Sequence, residues 1–338
     1  MKRSVWVWLG LVALTLLFLG RGPVVAESRF LANGLLPPMP VPGDNPLTDA
    51  KIILGKSLYF DKRLSSNNTV SCATCHRPDA AWADVTPVSE GVEHKKGGRN
   101  SPTILNAGYI IPQFWDGRAV HLEKQAVGPV ANPVEMDLPL PQLIGRLKAI
   151  PGYVCMFQAA FGTEPSEDGV AKAIASFERT IISSNSPYDK YLQGDRAAMN
   201  SSAVRGMDLF SGKGHCVSCH SGPFFSDQRF HNIGVGYSCG KLADVGRYEV
   251  TKKARDMGAF RTPGLRHVAL TPPYLHDGSA ATLEEVIDLY DRGGIANPTL
   301  DPMVLPLHLS QREKCDLVQF LKALTGDPVV VTEPQLPK

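Results

Sequence analysis

Two stretches of this chain set a pair of cysteines and a histidine at one fixed spacing: SCATCHRP, with Cys72, Cys75 and His76, and HCVSCHSG, with Cys216, Cys219 and His220. Two thiols three residues apart can reach both vinyl groups of one porphyrin. The adjacent histidine can then turn its imidazole onto the iron, and C-x-x-C-H is the attachment signature of c-type haem. A zinc site or a redox dithiol is the alternative chemistry for such thiols. Two complete copies point instead to two covalently bound haem c groups, with His76 and His220 as proximal ligands. Cys155, Cys239 and Cys315 remain, an odd number that cannot all pair within one chain. They are expected as buried thiols, or as one disulfide and a free thiol.

The chain begins with a basic start, an apolar run from Val5 to Leu19, and small residues Val24 and Ala26 spaced for cleavage after Ala26. Residues 1–26 therefore read as a Sec-type signal peptide, with an uncleaved membrane anchor as the alternative. Cleavage would remove Lys2, Arg3 and Arg21 and no acid, moving the balance from 35 basic against 33 acidic residues to 32 against 33. The mature protein is then a near-neutral periplasmic one with no basic stripe for nucleic acid and no later stable membrane span. Its 27 prolines and 31 glycines require long loops.

The elements that must position the two motifs repeat. Pro102 to Glu123 reads PTILNAGYIIPQFWDGRAVHLE and Pro263 to Glu284 reads PGLRHVALTPPYLHDGSAATLE. At an offset of 161 they share seven of 22 residues, including a D-G-x-A-x-x-L-E frame. Each half also closes on an amphipathic helix, AKAIASFERTI around Phe177 and QREKCDLVQFLKALTG around Phe320. The fold expected is mainly α and internally duplicated, with few short strands; GRYEVT, Gly246 to Thr251, is one candidate strand. A break near Ser183 to Ser202 divides an N-terminal haem domain, 27–192, from a C-terminal one, 193–338.

Extending the alignment sets Gln125 opposite Val286 and Pro129 opposite Tyr290. Tyr290 ends the inward face of TLEEVIDLYDRGG, a helix for which Thr282 and Glu285 form a capping box and Gly293 and Gly294 suit the end. Proline offers iron nothing, whereas a phenolate oxygen ligates it. The first haem is thus expected to keep an open position and the second to be closed by Tyr290. Near the open position lie Gln125 and Glu135; a carboxylate there could carry a proton between two peroxide oxygens, or serve only in a salt bridge. Trp115 is a core residue or an oxidisable relay between the two motifs.

At these residues the chain resembles the bacterial di-haem cytochrome c peroxidase family, and most closely its MauG-type branch. The likeness spans nearly the whole mature chain, through CATCH, RNSPTILN, QFWDGRA, EKQAVGPVANPVEM, HCVSCHSG, GRYEVT, ALTPPYLHDGS and TLEEVIDLYDRGG. It implies two cytochrome c-like domains: a high-spin peroxidatic haem held by His76 with Gln125, Pro129 and Glu135 on its distal side, and a low-spin electron-transfer haem held by His220 and Tyr290. It also implies that Trp115 lies between them. A calcium ion between the domains would take the Asn100 side chain and the Thr271 and Pro273 carbonyls. Peroxidases of the family commonly carry methionine where Tyr290 stands. Many also have a loop histidine blocking the first haem; that position is Val92 here, with His94 two residues on, and the gate is expected to be absent.

A neutral thioether raises a haem's potential and an anionic oxygen lowers it, so a tyrosinate-bound haem makes a poor entry port for electrons from a cytochrome. The leading expectation is a MauG-like oxidase that reacts with hydrogen peroxide and oxidises a periplasmic protein substrate by long-range electron transfer. A cytochrome c peroxidase drawing electrons from a small cytochrome c or cupredoxin is the alternative. A di-haem electron carrier is a third, which Pro129 argues against.

Overall fold

A computed structural model describes residues 35–338. The expected signal peptide, residues 1–26, lies outside the described residues. Among those described, no helix is long and apolar enough to cross a membrane.

Two buried apolar clusters organise the chain. In the first, the helix Asp49–Phe60 packs along the helix Glu167–Glu178; in the second, Ser201–Ser211 packs along Gln311–Ala323. Each helix begins where a side-chain oxygen satisfies a free backbone N–H: Thr48, Ser166, Asn200 and Ser310 accept from Lys51, Gly169, Ala203 and Glu313. Each pair crosses at a glycine. A Cβ on Gly55 would stand 1.9 Å from the Ala173 carbonyl oxygen, and one on Gly206 would stand 2.0 Å from that of Asp316. Only a bare Cα lets the backbones meet so closely. Aromatic rings fill the space beside each crossing: Tyr59, Phe60, Trp82 and Phe177 in one cluster, and Tyr188, Phe210, Phe225 and Phe320 in the other.

The fold is mainly helical, and among the described residues the strands are four two-residue pieces in two antiparallel pairs. GRYEVT is not among them. Tyr248–Thr251 forms a helical turn, because Glu249 and Val250 bond back to Gly246 and Arg247 and Lys252 closes the turn at φ 55°. The apparent alternation was too short to outweigh these local bonds. The three remaining cysteines also differ from expectation. Cys155, Cys239 and Cys315 are all exposed and unpaired. Cys155, for example, sits midway between Tyr153 and Phe157, which take the inward face of their helix and leave Cys155 on the outer one.

The sequence repeat is a structural repeat. Asn106 and His267 both take φ near +60°, as do Phe114 and Leu275, and Gly117 and Gly278, each pair offset by 161. The bridges Gln113–Ala119 and Tyr274–Ala280 correspond in the same way, and both halves have a cis proline at Pro112 and Pro273. The halves also pair crosswise. The Asn100 N–H donates to the His276 carbonyl at 2.8 Å, and the Arg261 N–H donates to the Trp115 carbonyl at 2.8 Å. These are equivalent bonds, since 100 and 115 become 261 and 276 at the repeat offset. The last residues of the chain return to the first cluster, where Val329 and Val331 pack and the Trp82 indole donates to the Val329 carbonyl at 3.1 Å.

Candidate functional site: two cavities with a common wall

Each C-x-x-C-H opens onto a cavity. The first, about 700 Å³, is bordered by Cys72, Cys75, His76, Gln125, Pro129 and Glu135. The second, about 260 Å³, is bordered by Cys216, Cys219, His220, Val286, Ile287 and Tyr290. The repeat thus brings Pro129 to one cavity and Tyr290 to the other. Asn100, Trp115 and Arg261 border both cavities and form part of the wall between them.

The histidines are set for metal ligation. Nδ1 of His76 lies 2.9 Å from the Pro102 carbonyl and Nδ1 of His220 lies 2.9 Å from the Phe225 carbonyl, so each Nδ1–H donates and each Nε2 is left with its lone pair. Burial holds both imidazoles below the ordinary histidine range, which keeps that lone pair available. Cys72, Cys75 and Cys216 behave oppositely to the thiols of a redox dithiol, which need ready thiolates. Burial pushes Cys72 well up, Cys75 to about 11 and Cys216 to about 12. Neutral thiols beside apolar cavities, each with an imidazole nitrogen facing inward, fit a porphyrin attached through its vinyl groups.

Tyr290 is carried by the helix Leu283–Asp291, whose Thr282/Glu285 capping box forms as expected. Leu283 and Ile287 anchor the inward face in the second cluster. The phenol makes no hydrogen bond among the described residues. Burial, aided by Cys216 and Cys219, pushes its ionisation well above the ordinary tyrosine range. Such a phenol becomes an anion only against a positive charge, which a ferric iron in that cavity would supply.

Among the described residues Glu135 enters into no salt bridge. Its Oε1 accepts from the Asn132 side chain, which holds the carboxyl toward the first cavity. Burial raises its ionisation above the ordinary carboxylate value, against the pull of Asn132 and the more distant Arg118. Trp115 is fixed by its indole N–H, which donates to the Asn100 carbonyl at 2.9 Å. Asn100 donates its side-chain amide to the Thr86 and Pro87 carbonyls, which turns Oδ1 the other way; Thr271 and Pro273 border the second cavity with it. Val92 is fully buried, and the His94 side chain is 90% exposed and bonded to Glu90, outside the first cavity.

Sequence reasoning missed Asn132, Glu178 and Arg261. Glu178 borders the first cavity with Oε2 unpartnered, and burial raises it to about 8. Its only sequence signal was a charge on the inward side of an amphipathic helix. Arg261 could have been found by extending the repeat two residues toward the N-terminus, where it faces Asn100.

Residues 49–197 match the model of the di-haem cytochrome c peroxidase family. Methylamine utilization protein MauG of Methylorubrum extorquens is 41% identical over 301 residues, covering 88% of this chain and 85% of that protein. Cytochrome-c peroxidase IdrP1 of a Pseudomonas species is 38% identical over 333 residues, covering 89% and 88%. The crystal structure of a MauG-like protein associated with microbial copper homeostasis superposes with a TM-score of 0.81 at 37% identity, over 86% of this chain and 94% of that one.

Proposed function

The chain belongs to the di-haem cytochrome c peroxidase family and is a haem-dependent oxidoreductase that acts with hydrogen peroxide; from that premise we propose that it is a MauG-like enzyme, oxidising a protein substrate at its surface by long-range electron transfer. The observation that carries this reading is Tyr290, a phenol without a hydrogen-bond partner among the described residues, beside the second C-x-x-C-H at the position where the first half has Pro129. Two haem c groups would be held by Cys72, Cys75 and His76 and by Cys216, Cys219, His220 and Tyr290. When bound, they supply irons that exchange electrons with peroxide and with each other's site.

The rest falls to the chain. Pro129, which lines the first cavity with His76, offers no atom that could ligate a metal, and so would leave room for peroxide there. Glu135 would take a proton from one peroxide oxygen and hand it to the other, which would leave as water as the O–O bond breaks, the two oxidising equivalents passing to the haems. Asn132 aims Glu135, and Gln125 lines the same pocket. Trp115, pinned in the shared wall, offers an oxidisable ring between the cavities. The chain would act in the periplasm as two haem domains, 27–192 and 193–338.

The test is to mix the ferric protein with peroxide, first alongside reduced cytochrome c or cupredoxin, then alongside a periplasmic extract whose proteins are weighed by mass spectrometry. A peroxide-dependent mass change on a partner that fails in Trp115→Phe, with slow turnover of the small carrier, is the expected result. Rapid turnover of the carrier with no modified partner would leave the cytochrome c peroxidase function, which the likeness to IdrP1 supports. Calcium is proposed to join the Asn100 side chain to the Thr271 and Pro273 carbonyls. A chelator is then expected to remove about one ion per chain, by metal analysis, and to alter the absorption of the haems; unchanged metal content and spectrum would dismiss that site.

A further inference from the structure

Arg261 carries a buried charge that no carboxylate among the described residues balances. The residue is 7% exposed. Its Nε donates to the Phe114 carbonyl at 3.3 Å and its Nη1 to the Thr262 carbonyl at 3.2 Å. A guanidinium has five N–H donors, and these two bonds leave three. Three other buried or half-buried arginines nearby are matched by carboxylates, Arg99 with Asp116 and Asp244, Arg179 with Glu123 and Arg266 with Asp189, whereas the half-buried Arg247 spends its guanidinium on the Asp116 and Gly117 carbonyls and the face of Phe230. Burial alone, with no opposing anion, lowers Arg261 to about 10. A lone cation in so dry a place is strongly disfavoured unless an anion joins it.

The position says where that anion comes from. Arg261 borders both cavities and its own N–H holds the Trp115 backbone in the wall between them. Each porphyrin entering these cavities brings two propionates. Resting on the two-haem reading above, we infer that Arg261 is a shared anchor whose guanidinium receives a propionate from the cofactor on each side of the wall. The planar fork suits this task, since it can present separate N–H pairs to separate carboxylates. The repeat makes the assignment one-sided: the equivalent position in the first half is Asn100, which is neutral and turned to Thr86 and Pro87. One cation from the second half therefore serves both sites and ties their potentials together.

The test uses holoprotein with Arg261→Gln and Arg261→Lys. Haem per chain, the midpoint potentials of both haems, and the propionate bending bands in resonance Raman spectra are measured. Arg261→Gln is expected to lower both midpoints, because each propionate loses its counter-charge and favours ferric iron, and to shift the propionate bands of both haems. Arg261→Lys restores the charge and recovers part of the potential, yet the bands remain shifted because a point charge cannot fork. Wild-type potentials and bands in Arg261→Gln would overturn the inference, and so would a change confined to one haem. If the glutamine variant fails to load haem, the lysine variant decides, and wild-type bands in it are equally fatal. A wild-type chain holding fewer than two haems would instead remove the two-haem premise.

Discussion

Replacing Glu135 by Gln lowers the rate at which the ferric protein reacts with hydrogen peroxide by about 100- to 10,000-fold, the range that a positioned general acid–base group supplies. The amide keeps the size of the side chain and a contact to Asn132 but has no site from which a proton can be taken up and handed on. Stopped-flow spectra at the first haem measure the rate directly. The pH profile separates this role from a structural one. Glu135 must be ionised to begin, so the rate falls as pH drops through its ionisation. Burial sets that ionisation above the ordinary carboxylate range, against Asn132 and Arg118. The acidic limb therefore lies at higher pH than a solvent-exposed glutamate would give, and it disappears in Glu135→Gln. Asn132→Ala, which frees the carboxyl from its partner, is expected to slow the reaction less and keep the limb. A glutamine variant as fast as the wild type at every pH would remove Glu135 from the chemistry.

The second large effect is at Tyr290. Tyr290→Phe removes the one oxygen that the helix Leu283–Asp291 presents to the second cavity by this residue, and the ferric spectrum of the second haem changes as its ligand is lost. Tyr290→Met replaces an anionic oxygen with a neutral thioether, and the midpoint potential of that haem rises by roughly 0.1 V or more, a modest part of the ~0.8 V span that axial ligands command. The same variant is expected to turn over a reduced cytochrome c faster, because its second haem now accepts electrons more readily. An unchanged spectrum in Tyr290→Phe would sink the ligand assignment. The phenol is hard to ionise where it sits, so the proposed service as a ligand would depend on the iron's charge and would weaken on reduction to the ferrous state.

What could be read from the sequence was whatever chemistry fixes along the chain. Covalent attachment would demand its thiols and histidine at one spacing, so Cys72, Cys75, His76 and their counterparts, which the fold does bring to two cavities, stood out at once. The repeat carried that legibility further, to Pro129 and Tyr290, because a duplicated backbone keeps its register even where side chains diverge; Trp115 was singled out by its place between the motifs and by the family resemblance. Residues defined by what lies across the fold stayed hidden. Nothing around Asn132 announces that it holds Glu135, and Arg261 acquires its meaning only from two cavities and the absence of a matching carboxylate. GRYEVT misled because five or six residues of alternation weigh less than two backbone bonds and a left-handed cap. Cys155, Cys239 and Cys315 misled because burial is the habit of free cysteines, while the helix face or turn each occupies is decided by its neighbours.

The crosswise bonds from Asn100 to His276 and from Arg261 to Trp115 have the form of an isologous contact, in which a surface meets a copy of itself. The molecule is thus a dimer written as one chain. Two identical subunits would be bound to keep identical sites, each change made twice. Joined end to end, the halves are released from that bond: one can hold a proline and the other a tyrosine, one an asparagine and the other an arginine, without either losing its partner. The different roles proposed for the two halves rest on that freedom.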